Sequence, residues 1–466
     1  MNYQEFIESK KFSIKNSGFE CKEINPILFE YQRLFVKWAL KKGKCALFTG
    51  TGTGKTIMQC EWAYRVWERE KKPILILAPL AVAHQTIKEA KEKLKIDVKY
   101  CESSDDVING INITNYEKLQ KFNTSEFIGV VLDESSILKS FTSTTRNQII
   151  ANFYKTPYKL ACSATPAPND YMELGNHSEF LNELKRKEML SMFFINDCKE
   201  TQKWRLKGHA KSEFWKWVSS WAVIMNNPCD LGYQDKIFKL PKLNIYHETV
   251  KNINYAKDRL FIVEAKTLQE RREARKNSLE NRCKKIAELV NNSNEKWLVW
   301  CDLNAESELL ARKINKNVEV KGSDNENHKK NAMLDFADGK IKVLISKPSI
   351  CGFGMNFQIC HNVVFAGLSD SFEQYYQAIR RCWRFGQKKE VNVYIVTSEA
   401  EGAVLKNIAR KEKDAENMIK EMSDYTKKQV IENIKTNFKI TTSNYIPIEN
   451  IIIPEWLKKE SEELVK

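Results

Sequence analysis

Short apolar runs alternate with helix-period stretches, and the pattern occurs twice along the chain. The first set is Ala46-Leu47-Phe48, Ile74 to Leu77, Ile111-Asn112-Ile113, Val130-Val131-Leu132 and Leu160-Ala161-Cys162. The second is Trp297 to Trp300, Val343 to Ser346, Val363 to Ala366 and Val391 to Val396. Runs of this length, without polar alternation, read as strands buried on both faces. Alternation with helical patterns predicts an α/β fold with two tandem, doubly wound parallel sheets, over about residues 24–175 and 246–425. Residues 176–245 break the rhythm. There Phe214, Trp217, Val218, Trp221, Ala222 and Met225 keep helical spacing, which predicts an inserted helical, aromatic-rich segment. The stripe is expected to pack on a neighbouring domain, and Lys203, Arg205, Lys207, His209 and Lys211 beside it are read as residues that could line a nucleic-acid track. Residues 1–23 are polar and basic and read as a leader or cap. Residues 426–466 read as a tail whose strip I-P-I-E-N-I-I-I-P-E-W would dock on the body or on a partner protein.

The run ending at Phe48 leads straight into Thr49 to Thr56, T-G-T-G-T-G-K-T, and then into a helical stretch. A strand, a glycine-rich turn, Lys-Thr and a helix make a cradle for a nucleoside triphosphate. The backbone N–H groups from Gly52 through Thr53, Gly54 and Lys55 to Thr56 can point at phosphate oxygens. Lys55 would reach the β- and γ-phosphates, and Thr56 would hold Mg2+. The run Phe127 to Leu132 ends in Asp133-Glu134, at the carboxyl end of a strand, where open α/β sheets bind ligands. Asp133 would hold Mg2+ through water, and Glu134 would polarise the water that attacks the γ-phosphorus.

A third cluster is Q-A-I-R-R-C-W-R-F-G-Q, Gln377 to Gln387. Arg381 and Arg384 are three apart and predicted to share a helix face. Their guanidinium forks suit the charge on a transferring phosphoryl group, delivered from the second sheet. Arg380 reads as an exposed or nucleic-acid-facing residue.

Charge adds a partner class. The 466 residues carry 75 Lys and Arg against 60 Asp and Glu, a net charge of +15. That balance favours a polyanion, and the many Lys, Asn and Ile residues are also what an AT-biased genome produces. A charged helix near 267–290 carries Arg271, Arg272 and Arg275, read as a solvated face or as a face on the nucleic-acid backbone. The 12 cysteines include no C-x-x-C pair and the 6 histidines are dispersed, which argues against a zinc site. Cys45 and Cys162 read as small core residues of a protein in a reducing compartment. No apolar stretch reaches ~18 residues and no apolar signal core opens the chain, so a cytoplasmic protein with no membrane span is expected.

Over about residues 24–410 the chain resembles superfamily 2 helicase-type ATPases, and within them Swi/Snf-type DNA translocases in the compact form found in phage and mobile elements. The T-G-x-G-K-T loop is the helicase variant of the phosphate cradle. Leu28 to Ala39 resembles the adenine-reading Q motif, which implies that Gln32 contacts the base. Leu75 to Pro79 with Gln85 resembles motif Ia, and Ile113 to Tyr116 motif Ib. Ser163-Ala164-Thr165-Pro166 resembles motif III, implying that Ser163 and Thr165 couple hydrolysis to nucleic acid. Gly352 to Asn356 resembles motif V, which brings Gly354 to the nucleotide. Gln377, Arg381, Arg384, Gly386 and Gln387 match motif VI in its Swi/Snf form. Ser136 stands where the family more often has His, and no W-N-P stretch precedes motif VI. The resemblance implies two RecA-like domains, ATP and Mg2+ as ligands, a monomer, and movement on DNA, duplex by preference. A strand-separating DNA or RNA helicase and an ATP-gated clamp with slow turnover are the alternatives.

Overall fold

The computed structural model describes residues 16–420, apart from 169, 197–203, 232, 234–239, 251–267, 353–354, 370, 403, 414–416 and 418–419. The tail predicted at 426–466 and most of the leader predicted at 1–23 lie outside these residues, as does Gly354. All described residues belong to one compact unit, Asn16–Lys435.

In chain order the strands are β1 Lys44–Thr49, β2 Ile74–Ala78, β3 Val98–Tyr100, β4 Ile111–Asn115, β5 Gly129–Asp133, β6 Tyr158–Ser163, β7 Phe194–Asn196, β8 Trp204–Leu206 and β9 Ala222–Met225. They continue as β10 Leu243–Val250, β11 Trp297–Trp300, β12 Asn317–Val320, β13 Val343–Ser346, β14 Asn362–Phe365 and β15 Val391–Ser398. The first sheet has the order β3-β4-β2-β5-β6-β1-β9 and the second β10-β15-β14-β11-β13-β12. Every pairing in both is parallel. The apolar runs become central strands because helices cover both faces: β2, β4, β5 and β6 are buried along their whole length. Cys45 and Cys162 sit in the first core, as small apolar residues. No described helix is long and apolar enough to cross a membrane.

The segment at 176–245 differs from the predicted insertion. The helix over Lys211–Trp221 ends at its last tryptophan, and Ala222–Met225 is a strand paired with β1 from Ala46↔Ala222 to Thr49↔Met225. Ala222 and Met225 therefore leave the helical stripe. β-branched Val223 and Ile224 suit the exposed edge of β1, and the pairing overrides the helical spacing. The first sheet thus extends past residue 175 to Met225. The remaining stripe residues pack inward: Phe214, Trp217, Val218 and Trp221 are all buried. The second sheet begins at Leu243, three residues before the predicted boundary. β10 is missed by periodicity because its residues are mixed in polarity and largely exposed.

Arg275 is not on an open helix face. It is buried, with its guanidinium paired to Asp302 and, at 3.3 Å, to Glu401. Its neighbour Arg282 is fully buried and donates to Glu306 Oε1 at 2.7 Å and to the Arg275 carbonyl at 2.7 Å. The carboxylates come from strand ends distant in sequence, so spacing along the helix could not reveal them. Removing one member of such a set leaves a buried charge unpaired. The side chains of Arg271 and Arg272 lie outside the described set.

Candidate nucleotide and coupling site

The loop after β1 is shaped by two left-handed glycines, Gly52 at φ 87° and Gly54 at φ 84°. A Cβ on Gly54 would stand 2.3 Å from Gln32 Nε2, so a side chain there would displace that amide and strain a left-handed backbone. Thr53 Oγ1 donates to the Gly50 carbonyl at 2.8 Å and fixes the turn. The helix Lys55–Glu70 starts directly after Gly54, so its unpaired N–H groups face the loop. Lys55 Nζ donates to the carbonyls of Thr49 and Gly50, at 2.8 and 3.0 Å. β9 ties the loop from the other side, through Gly50 N to the Met225 carbonyl at 2.8 Å.

Gln32, expected from its motif to contact the base, is bonded within the protein to the loop and to its own helix start. Its Nε2 donates to the Thr53 carbonyl at 2.9 Å and its Oε1 accepts from Phe29 N at 2.9 Å. Tyr31 donates to the same Thr53 carbonyl at 2.7 Å. Both side chains brace the phosphate loop from the helix Glu30–Lys42.

β5 delivers the acidic pair. Glu134 sits at φ 61°, ψ 57°, a left-handed conformation costly for a residue with a Cβ, and its carboxylate lines the cavity. Its Oε1 accepts from Ser163 Oγ at 2.9 Å and from Ser136 Oγ at 3.3 Å. Thus Ser136, where the family more often has histidine, contacts the candidate base. Asp133 is held at its carbonyl by Tyr116, whose hydroxyl donates at 2.8 Å.

The second sheet supplies the arginines, in a geometry the sequence did not show. The helix Phe372–Ile379 ends before them, with Arg380 as its cap. Arg381 Nε donates to the Gln377 carbonyl at 2.9 Å, the acceptor a continuing helix would give to Arg381 N. Arg381 and Arg384 therefore converge from a turn after the helix, not from a helix face. Arg381 also donates to Gln377 Oε1 at 2.7 Å and to the Met355 carbonyl at 3.3 Å. Among the described residues Arg384 makes one side-chain hydrogen bond, at 3.4 Å to the Met355 carbonyl, and its buried Nε has no partner. Arg380 lies over Trp383 and Tyr376, 4.2 and 5.0 Å from their ring centres.

These residues close one cavity of about 360 Å3 between the sheets. Gln32, Gly52, Gly54, Lys55, Thr56, Asp133, Glu134, Gln377, Arg381 and Arg384 line it. Sequence reasoning missed Glu89, Lys93, Gln358 and Phe385 in the same wall. Phe385 lies within the arginine motif itself, with its backbone N 3.1 Å from a Cβ placed on Gly52. An acid in a phosphate site has no sequence signature, and Glu89 is one. Its carboxylate accepts from Gln85 Nε2 at 2.6 Å and from Lys93 at 3.3 Å.

A hydrogen-bonded chain crosses the cleft. Ser163 Oγ donates to Glu134 and accepts from Thr165 N at 3.0 Å. Thr165 Oγ1 accepts from Gln377 Nε2 at 3.4 Å, and Gln377 holds Arg381. The ion pair of Lys139 with Glu373 spans the same gap.

Burial sets the electrostatics. It pulls Lys55 down to about 8, against the opposing pull of Glu134 and Asp133. It pushes Asp133 up to about 6, and Gln59 beside it offsets part of that rise. Gln59 does not reach bonding geometry, and Asp133 Oδ2 stays buried without a partner. A buried carboxylate whose Oδ2 has no partner among the described residues, in the same cavity wall as Thr56, fits a hydrated divalent cation. Such a cation favours the ionised carboxylate, so binding costs a proton release below about pH 6. Phosphates favour the ammonium, so binding costs a proton uptake above about pH 8. Magnesium–nucleotide affinity is expected to peak between these values and fall on both sides. Titration with a fluorescent ATP analogue across pH checks this, and flat affinity down to pH 5 would remove Asp133 from the cation site.

Comparison with known proteins matches two separate segments of the chain. Residues 22–168, which hold the phosphate loop and the acidic pair, match the family described as type III restriction enzyme, res subunit. Residues 281–386, which hold the arginines, match the helicase conserved C-terminal domain. A Bacillus subtilis protein named as an uncharacterized ATP-dependent helicase is 24% identical, covering 84% of this chain and 79% of its own length.

Proposed function

We propose that this superfamily 2 helicase-type ATPase is a DNA translocase of the Swi/Snf kind, which hydrolyses ATP in the cleft and moves on duplex DNA. The observation that carries the reading is the bonded chain Glu134–Ser163–Thr165–Gln377–Arg381. It links the residue that would activate water on one sheet to the residue that would bind the γ-phosphate from the other. Opening and closing of the cleft are then tied to the state of the nucleotide.

In this reading Lys55 and the loop N–H groups bind the phosphates. Glu134, held by Ser163 and Ser136, orients the attacking water and takes its proton. Arg381 and Arg384 stabilise charge on the transferring phosphoryl group. Thr56 and Asp133 would hold Mg2+, which would supply charge neutralisation on the phosphates. Duplex preference is supported by the motif VI form, and the net charge of +15 supports a nucleic-acid partner without choosing between duplex and single strands. The name of the Bacillus relative supports a second reading, a helicase that separates strands.

Two assays run together divide these readings. A translocase displaces a third strand from a triplex on an otherwise intact duplex and leaves a forked duplex paired. Unwinding of the fork without triplex displacement would move the protein to the strand-separating class.

A further inference from the structure

We propose that the antiparallel ribbon β7–β8 is a DNA-contacting surface, in which Arg205 takes a backbone phosphate and Ile195 and Met192 bear on the neighbouring sugar edge. The inference rests on the DNA-motor reading above. The ribbon belongs to neither large sheet. Its register sets Ile195 opposite Arg205, so both project from one face, while Phe194 is buried beneath. Ile195 is 45% exposed, and Met192, at the end of the preceding helix, 37%. Arg205 and His209 are exposed and have no carboxylate partner among the described residues. Residues 185–216 hold nine Lys and Arg against four Asp and Glu, so the local field is positive. An unpaired guanidinium beside apolar contact area takes phosphate and sugar together, without reading sequence.

The ribbon stands on a packed aromatic base that reaches the nucleotide site. Phe193 stacks on Trp217 at 5.5 Å, and Phe194 meets Phe214 edge-on at 5.6 Å. Trp217 contacts Trp221 at 5.4 Å, and Trp221 contacts Phe48 at 6.1 Å, one residue before Thr49 of the phosphate loop. Phe48 packs on His177, whose Nε2 lies 3.1 Å from Ser135 Oγ, next to Glu134. Burial lowers the His177 ring to about 4, so it is neutral and acts here as a bonded spacer.

The test compares the full chain with Ile195→Asp/Arg205→Glu, measuring anisotropy of a labelled DNA duplex over a salt series and ATPase rates with and without DNA. The double variant is expected to bind duplex roughly tenfold more weakly, with the DNA-free rate unchanged. Arg205→Gln alone changes one exposed side chain and carries the test if the double variant misfolds. It is expected to lower the slope of log affinity against log salt by about 1. Unchanged affinity and slope, with wild-type stimulation by DNA intact, overturns the ribbon surface and leaves the motor reading standing; a protein partner would then suit the ribbon better. A wild-type chain that neither binds nor responds to any nucleic acid overturns both.

Discussion

Arg384→Ala is expected to lower the nucleic-acid-stimulated ATPase rate by on the order of 10³ or more, the scale of an arginine finger. The guanidinium lines the cavity, where Arg380 does not, and its one side-chain hydrogen bond among the described residues is a long one of 3.4 Å to Met355, which leaves donors for a phosphate. Burial lowers its pKa, a cost that a bound phosphoryl oxygen relieves. Nucleotide affinity should fall much less, because Lys55 and the loop sit on the other sheet. Arg380→Ala is the control. Arg380 lies on two aromatic faces outside the cavity wall, so its loss should leave the rate within a few-fold. Steady-state turnover of the two variants side by side checks the assignment. A severe effect at Arg380 and none at Arg384 would reverse the roles of the two arginines.

Glu134→Gln is expected to keep ATP binding and to slow hydrolysis by roughly 10² to 10⁴, the range for loss of a general base. The amide keeps the shape of the side chain and one oxygen for Ser163. It loses the capacity to accept a proton from water. The left-handed backbone at Glu134 is unaffected, so the fold should be retained. Single-turnover hydrolysis beside equilibrium nucleotide binding separates the two effects. Hydrolysis at the wild-type rate would mean that another group positions the water.

Much of this was legible in the chain. The phosphate loop and the acidic pair were readable because each is a short local pattern at the end of an apolar strand, where the fold itself supplies the context. The two sheets were readable because both-face burial makes apolar runs. What was missed depends on partners distant in sequence. The strand at Ala222–Met225 continues a helical spacing and becomes a strand only because β1 offers an edge. Arg275 looks like part of a solvated basic face until Asp302 and Glu401 are brought to it by strand ends. Arg381 and Arg384 were found by type and spacing, yet their convergence comes from a helix that stops at Ile379 because Arg381 takes its own carbonyl acceptor. Glu89 has no pattern at all, since an acid beside phosphates runs against the usual charge logic.

Hydrolysis of ATP in the cleft in response to duplex DNA is the step on which the proposed function depends. Its most direct test is the steady-state ATPase rate of the full chain and of Lys55→Ala, each with no nucleic acid, duplex DNA, single-stranded DNA and RNA. The expected result is a wild-type rate that duplex DNA raises at least as much as single strands do, with no turnover by the folded Lys55→Ala protein under any condition. Near-normal turnover by Lys55→Ala, or stimulation by RNA or single strands with none by duplex, would contradict it.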